Sequence, residues 1–250
     1  MSEIVKARLH VYPNGGAAAR ALARHVADAI RVKPDLVLGL PTGRTPIRFY
    51  HELGSMHAKG QLDFARATTF NLDEFLGIPP SHPGSYRSFM QDHLFSRVNI
   101  PPERINIPNG AASDPAAECV RYERAIAEAG GIDLQILGIG TNGHIGFNEP
   151  ARELAGTTHR VVLKASTRHS NAGLFGGDES QVPKEALSMG MATIMHARAI
   201  VLLATGRSKA ACVDGVINGP LTTELPASFL KLHNDVDIML DEPAAERLGA

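Results

Sequence analysis

Five short runs of apolar residues, each bounded by polar stretches, set the strongest limit on how this chain can fold. They are residues 35–40 (DLVLGL), 67–70 (ATTF), 133–138 (DLQILG), 198–205 (RAIVLLAT) and 236–240 (VDIML). The runs are apolar on both faces, as strands buried in a parallel sheet must be. Helical patterns fill the intervals. Leu22, Val26 and Ile30 recur every four residues. Asp114 and Pro115 form an N-cap and N1 signal for a stretch reaching Ala129, which Gly130 and Gly131 close. The alternation predicts an α/β fold: an open, mostly parallel, doubly wound (Rossmann-like) sheet with helices on both faces. A length of 250 residues suits one domain spanning residues 1–250.

Composition removes several functional classes. The formal net charge is -1, with no basic stripe for nucleic acid and no acidic tail. No run of 18 apolar residues offers a membrane span. The start MSEIVKARLHVY lacks the apolar core of a secretion signal. The two cysteines, Cys119 and Cys212, lie in helical, apolar stretches and read as reduced core thiols. No CxxC or HExxH pattern offers a metal site. The expected compartment is the cytoplasm.

In open α/β sheets ligands bind beyond the carboxyl ends of the strands, so the segments after the apolar runs are where chemistry is expected. Pro41, Thr42, Gly43, Arg44, Thr45 and Pro46 follow the first run and precede a helical stretch. A strand, a small polar turn and a helix N-terminus make a phosphate cradle. An ordinary turn is the plain alternative, and no GK[ST] makes it a Walker A loop. Asp73 and Glu74 follow the second run within FNLDEF. Adjacent side chains of an extended chain point to opposite sides. One acid can face the cleft as a general base while the other meets solvent or a helix end; solvated loop acids are the ordinary alternative.

The segment after 133–138 is the most specific. It reads GIGTNGHIGFNEP and holds Gly138, Gly140, Gly143 and Gly146 with Asn142, His144 and Glu149. Histidine titrates near neutrality, and a nearby carboxylate can orient it. GIGTNG matches a dinucleotide GxGxxG pattern, but no helical stretch follows it directly, so NAD is not expected. Arg168, after a β-like TTHRVVLKA segment, and Lys209, after RAIVLLAT, suit a bidentate and a point contact to phosphate.

Taken together, LGLPTGRTP, FNLDEFLGI, HPGSYRSFM, GIGTNGHIGFNEP, STRHSN, QVPKEALSMGM and TGRSKA resemble the glucosamine-6-phosphate deaminase family over nearly the whole chain. The resemblance implies aldose–ketose isomerisation with loss of the amine, in amino-sugar catabolism, without a cofactor or metal. It implies that Asp73 takes the proton from C2 and returns one to C1. It implies that His144 opens the pyranose ring, oriented by Glu149 and Asn142, and that Thr42, Gly43, Arg44, Thr45, Arg168 and Lys209 hold the phosphate. Some members carry Asp at the position of Asn142; Asn can orient but cannot hold charge.

Members activated by N-acetylglucosamine 6-phosphate bind it with Ser, Arg and Lys. The matching positions here are Arg152, His159 and Val161. No such activation is expected, and the assembly is expected to be a monomer or small homo-oligomer. Residues 157–183, with Gly173, Gly176 and Gly177, are expected to close over the substrate. Two other readings share the fold. A 6-phosphogluconolactonase would carry DGHTASLFP-like wording in place of NGHIGFNEP, and a sugar-phosphate sensor would carry an N-terminal helix-turn-helix.

Overall fold

The structure, a computed structural model, describes residues 7–249. The first six residues of the start, read above for a secretion signal, lie outside them. The strands are β1 (Arg8–Tyr12), β2 (Val37–Leu40), β3 (Thr68–Asn71), β4 (Asp73–Phe75), β5 (Ile105–Asn106), β6 (Leu134–Leu137), β7 (His159–Val162), β8 (Glu185–Ser188), β9 (Ala199–Ala204) and β10 (Val236–Asp241). The helices are α1 (Gly15–Val32), α2 (Ile47–Ala58), α3 (Tyr86–His93), α4 (Pro115–Glu128), α5 (Ala165–Asn171), α6 (Met191–Met195), α7 (Ala210–Asn218) and α8 (Glu242–Ala245).

All five apolar runs form strands of one seven-stranded sheet in the order β1-β10-β9-β6-β2-β3-β5, and every neighbouring pair is parallel. The strands are shorter than the runs at several ends: Asp35, Asp133 and Arg198 fall in the entering turns, while β3 runs one residue further, to Asn71. Side chains alternate between two cores. Leu38, Leu40, Ile136, Leu203 and Met239 share one core with α1, α2 and α3. Val37, Leu137, Ile200, Leu202, Ile238 and Leu240 share the other with residues of α4, α6, α7 and α8. This two-sided burial is why the runs carry no polar alternation.

The helices are held mainly by their buried faces. Asn14 caps α1 by accepting from the Ala17 N–H at 3.0 Å, worth about 1 kcal/mol. Leu22, Val26 and Ile30 are buried beneath it at about 1.5–3 kcal/mol each, so packing outweighs capping. Asp114 caps α4 as expected, accepting from the Ala116 and Ala117 N–H groups, with Pro115 at the first helical position. Cys119 and Cys212 are buried free thiols in α4 and α7. Among the described residues no helix is long and apolar enough to cross a membrane.

The winding direction reverses between β2 and β6. From β2 the chain steps outward through β3 to β5, then returns to β6 on the other side of β2 and continues through β9 to β10. Loops leaving the carboxyl ends of β2 and β6 therefore diverge and open a crevice.

A second, three-stranded antiparallel sheet in the order β4-β8-β7 was not expected from the sequence. Leu72 is the corner between the sheets: its N–H donates to the Leu40 carbonyl, and its own carbonyl accepts from Met189. One residue later the chain pairs Asp73 with Ser188. The corner brings Asp73 beside the carboxyl end of β2.

Candidate active site

Asp73 and Glu74 are adjacent and both buried, at 5% and 2% exposure, so they are not solvated loop acids. Their surroundings differ completely. Glu74 Oε1 accepts from the Phe75 and Tyr86 N–H groups at 2.9 Å, and Oε2 accepts from the Arg87 N–H at 2.9 Å. Burial raises the Glu74 pKa, and these N–H donors pull it back. Glu74 therefore serves the N-terminus of α3, the helix end foreseen for one acid of the pair.

Asp73 has no such support: its Oδ1 is buried without a hydrogen-bond partner. Burial first, and then the Glu74 charge, push its pKa up to about 8, against a lowering influence from the Thr42 hydroxyl. Tyr50, Tyr86 and Tyr122 are buried within range of its charge. A Cβ built on Gly146 would stand 3.5 Å from Asp73 Oδ2, so the 138–150 loop lies against this carboxylate.

That loop carries the second cluster. His144 Nδ1 lies 2.7 Å from Asn142 Oδ1, and Asn142 Nδ2 donates to Glu149 Oε2 at 2.7 Å. A carboxylate only accepts, so the Asn142 amide must turn its NH2 toward Glu149 and its oxygen toward His144. Nδ1 of His144 is then the protonated nitrogen, and Nε2 presents a lone pair. The Thr167 hydroxyl donates to Glu149 Oε1, leaving neither carboxylate oxygen without a partner. Burial lowers the His144 pKa, Glu149 opposes it, and the charges of Lys209 and Lys164 lower it further. A neutral imidazole with an open Nε2 is a proton acceptor at neutral pH. Gly140 makes room for it, since a Cβ there would lie 2.2 Å from the imidazole Cε1.

The residues expected to hold phosphate lie on three separate segments. Thr42, Gly43, Arg44 and Thr45 form the turn between β2 and α2. Gly43 has φ +92° and nothing within 4 Å of a would-be Cβ, so the backbone is open to a ligand. Lys209 sits in a single 3-10 turn, Arg207–Lys209, after β9. Burial lowers its pKa, and the nearby Arg44 charge adds to this. Asp241 Oδ1 accepts from the Gly206 N–H at 2.8 Å and steadies that turn. Arg168 lies on α5 with its guanidinium 4.0 Å from Glu179 Oε1.

The structure thus brings Asp73 beside Thr42, His144 together with Asn142 and Glu149, and Lys209 within range of the Arg44 charge, while Arg168 contacts Glu179. Among the described residues no cluster of three or more His, Cys, Asp or Glu is arranged for a metal. Sequence reasoning gave no role to Tyr86 or Thr167. Both lie in segments matched to the family, HPGSYRSFM and STRHSN, but a lone hydroxyl has no chemical signature in a sequence.

The chain matches a sequence profile described as glucosamine-6-phosphate isomerases/6-phosphogluconolactonase over residues 15–239. It is 50% identical over 223 residues to a glucosamine-6-phosphate deaminase of Halothermothrix orenii, covering 89% of this chain and 92% of that one. A solved monomeric glucosamine-6-phosphate deaminase superposes with a TM-score of 0.92 at 42% identity, covering 96% of this chain and 99% of that one. The 6-phosphogluconolactonase of Trypanosoma cruzi shares the fold, with a TM-score of 0.77 at 21% identity, covering 98% of both chains. The chain belongs to the glucosamine-6-phosphate isomerase and 6-phosphogluconolactonase family, and within it to the glucosamine-6-phosphate deaminases.

Proposed function

We propose that this chain converts glucosamine 6-phosphate into fructose 6-phosphate and ammonia, a step of amino-sugar catabolism. The observation that carries the reading is the buried carboxylate of Asp73, with Oδ1 unpartnered, beside a loop that holds a histidine with a bare Nε2. His144 Nε2 takes the O1 proton and returns a proton to O5, opening the pyranose to the aldehyde. Glu149 and Asn142 hold the imidazole in the tautomer this needs. Asp73 then takes the C2 proton, and the electron pair moves into a C1–C2 double bond as O1 gains a proton. The same carboxyl delivers a proton to C1, leaving an imine at C2. Water adds to C2, and ammonia leaves. Each acid–base step gains about 10²–10⁴-fold from a placed group.

The phosphate is held by the turn of Thr42, Gly43, Arg44 and Thr45, by Lys209 and by Arg168. Gripping it fixes the reacting carbons against Asp73 and His144. The residues named lie between 42 and 209, and the chain works as one domain, in the cytoplasm, as a monomer or small oligomer. Arg152, His159 and Val161 give no cradle for N-acetylglucosamine 6-phosphate, so saturation is hyperbolic with or without it. Residues 157–183 close over the bound substrate, so their amide exchange slows when ligand binds.

The test is incubation of the EDTA-treated protein with glucosamine 6-phosphate beside an Asp73→Asn variant. Equal yields of ammonia and fructose 6-phosphate, lost in the variant, support the reading. No product from wild type, with hydrolysis of 6-phosphogluconolactone instead, overturns it.

A further inference from the structure

Side chains and two backbone groups form one hydrogen-bonded series from the neighbour of Asp73 to His144. Its first link is Glu74, the neighbour of Asp73, which fixes the Tyr86 backbone N–H at 2.9 Å. The Tyr86 ring is buried, 4.7 Å between centroids from Phe75 and stacked on Phe147 at 12° and 5.9 Å. With ring and backbone both fixed, the phenol has one direction. Its hydroxyl donates to Asn171 Oδ1 at 3.2 Å. Asn171 Nδ2 donates to the Thr167 carbonyl at 2.9 Å, so both ends of that amide are engaged, and a flip would set its oxygen against that carbonyl. Thr167 then donates its hydroxyl to Glu149 Oε1. Glu149 holds Asn142, and Asn142 holds His144.

Asn171 and Thr167 belong to α5, a helix of seven residues, too short to be stable alone. Tyr86, on the neighbouring α3, supplies a fixed point against which that short helix is seated. Neither Tyr86 nor Asn171 touches His144, yet displacement of α5 takes the Thr167 hydroxyl away from Glu149. The carboxylate is then free to turn, and Asn142 loses the partner that decides which way its amide faces.

We propose that Tyr86 and Asn171 are positioning residues that set the His144 tautomer through Thr167 and Glu149, registering the ring-opening group to the strand that carries Asp73 before substrate arrives. This rests on the role given to His144 above. The tautomer itself is a property of the free protein and is measured without substrate.

The experiment uses the full chain with 15N-labelled histidine, and the His144 resonances are identified by their loss in His144→Gln. In wild type, Nδ1 is protonated and Nε2 is bare. In Tyr86→Phe and in Asn171→Ala, the spectrum moves to a mixture of the two neutral tautomers. In the same variants kcat for deamination falls about tenfold, as a misplacement well under 1 Å produces, while KM stays within about twofold. Thr167→Val gives the same spectrum, and Thr167→Ser, which keeps the hydroxyl, restores the wild-type one. A wild-type spectrum in both Tyr86→Phe and Asn171→Ala overturns the proposal, as does a loss of kcat with the tautomer unchanged. A shifted spectrum in a protein that does not deaminate glucosamine 6-phosphate would uphold the positioning and overturn only the reaction assigned to it.

Discussion

The two proposed proton-transfer centres are built on opposite plans. Around His144 the polar atoms are engaged in series, from Thr167 through Glu149 and Asn142 to the imidazole, and only Nε2 is left open. At Asp73 the carboxylate is buried with Oδ1 unpartnered, and its pKa stands at about 8. The difference fits the task proposed for each group. An imidazole that passes a proton between two ring oxygens must keep one orientation, which hydrogen bonds provide. A carboxylate that removes a weakly acidic C–H proton must be a stronger base than an exposed aspartate. Donors would weaken it, and burial strengthens it. Glu74 is the internal control: one residue away, similarly buried, but given three N–H donors.

The largest effect comes from removing the buried base. Asp73→Asn is expected to cut kcat by about 10³–10⁴-fold, the upper part of what a placed base supplies. The same change should stabilise the fold at high pH. The folded-state pKa of Asp73 is raised from 3.8 to about 8, so the native state retains a proton that the unfolded chain has released. Stability from this group is complete below pH 3.8 and declines as pH rises toward about 8. Asp73→Asn should therefore raise the melting temperature more at pH 8 than at pH 4. A variant less stable than wild type at pH 8 would contradict the account of Asp73 as an unsupported buried acid.

On the partnered side the expected losses are smaller. His144→Gln should cost about 10²-fold in kcat, one acid–base step. Glu149→Gln should cost about tenfold: its oxygen can still accept from Asn142 and its NH2 can donate to a reversed Thr167 hydroxyl, but the charge that supports a protonated His144 is lost. Gly140→Ala should act like Glu149→Gln without touching a charge, since its Cβ would lie 2.2 Å from the imidazole. Steady-state kinetics on the three variants ranks them. If Gly140→Ala left kcat unchanged, the orientation of His144 would not matter as argued.

The pH dependence separates the two centres. A base must be ionised, so kcat/KM should rise with pH and level off above about 8, where burial places Asp73 in the free enzyme. Burial lowers the His144 pKa, away from that limb. Thr42→Val removes the one influence that lowers Asp73, so it should move the limb to higher pH. A limb near the ordinary carboxylate range would show that Asp73 is better solvated than its burial implies.

Much of this arrangement was legible in the sequence, and the part that was not has a physical reason. Apolar runs such as RAIVLLAT report two-sided burial directly, and their downstream turns locate Thr42, Asp73, His144 and Lys209. The β4-β8-β7 sheet left no such trace. Its strands have three or four residues, and β7 alternates between half-buried and exposed positions. That sheet decides which way Asp73 points, so the burial of both acids was missed along with it. The opposed fates of Asp73 and Glu74 were anticipated from strand alternation, but the donors that separate them lie at 86 and 87, and sequence carries no record of that meeting. Tyr86 and Asn171 were invisible for the same reason: each matters only through a partner distant in the chain.

The smallest effect is the finest test of the contrast, because it alters Asp73 without touching it. Glu74→Gln keeps shape and removes charge. Its amide oxygen can still accept from Phe75 and Tyr86, while its NH2 meets the Arg87 N–H, so a loss of about 1–3 kcal/mol in stability is expected from that one unmade bond. The Glu74 charge is the second cause of the raised Asp73 pKa, after burial. Without it the acid limb of kcat/KM should move to lower pH but remain above the ordinary aspartate range, since burial persists. Titration of kcat/KM against pH in Glu74→Gln reads the two causes apart. A limb that returns fully to the ordinary range would make the neighbouring charge, and not burial, the origin of the base strength.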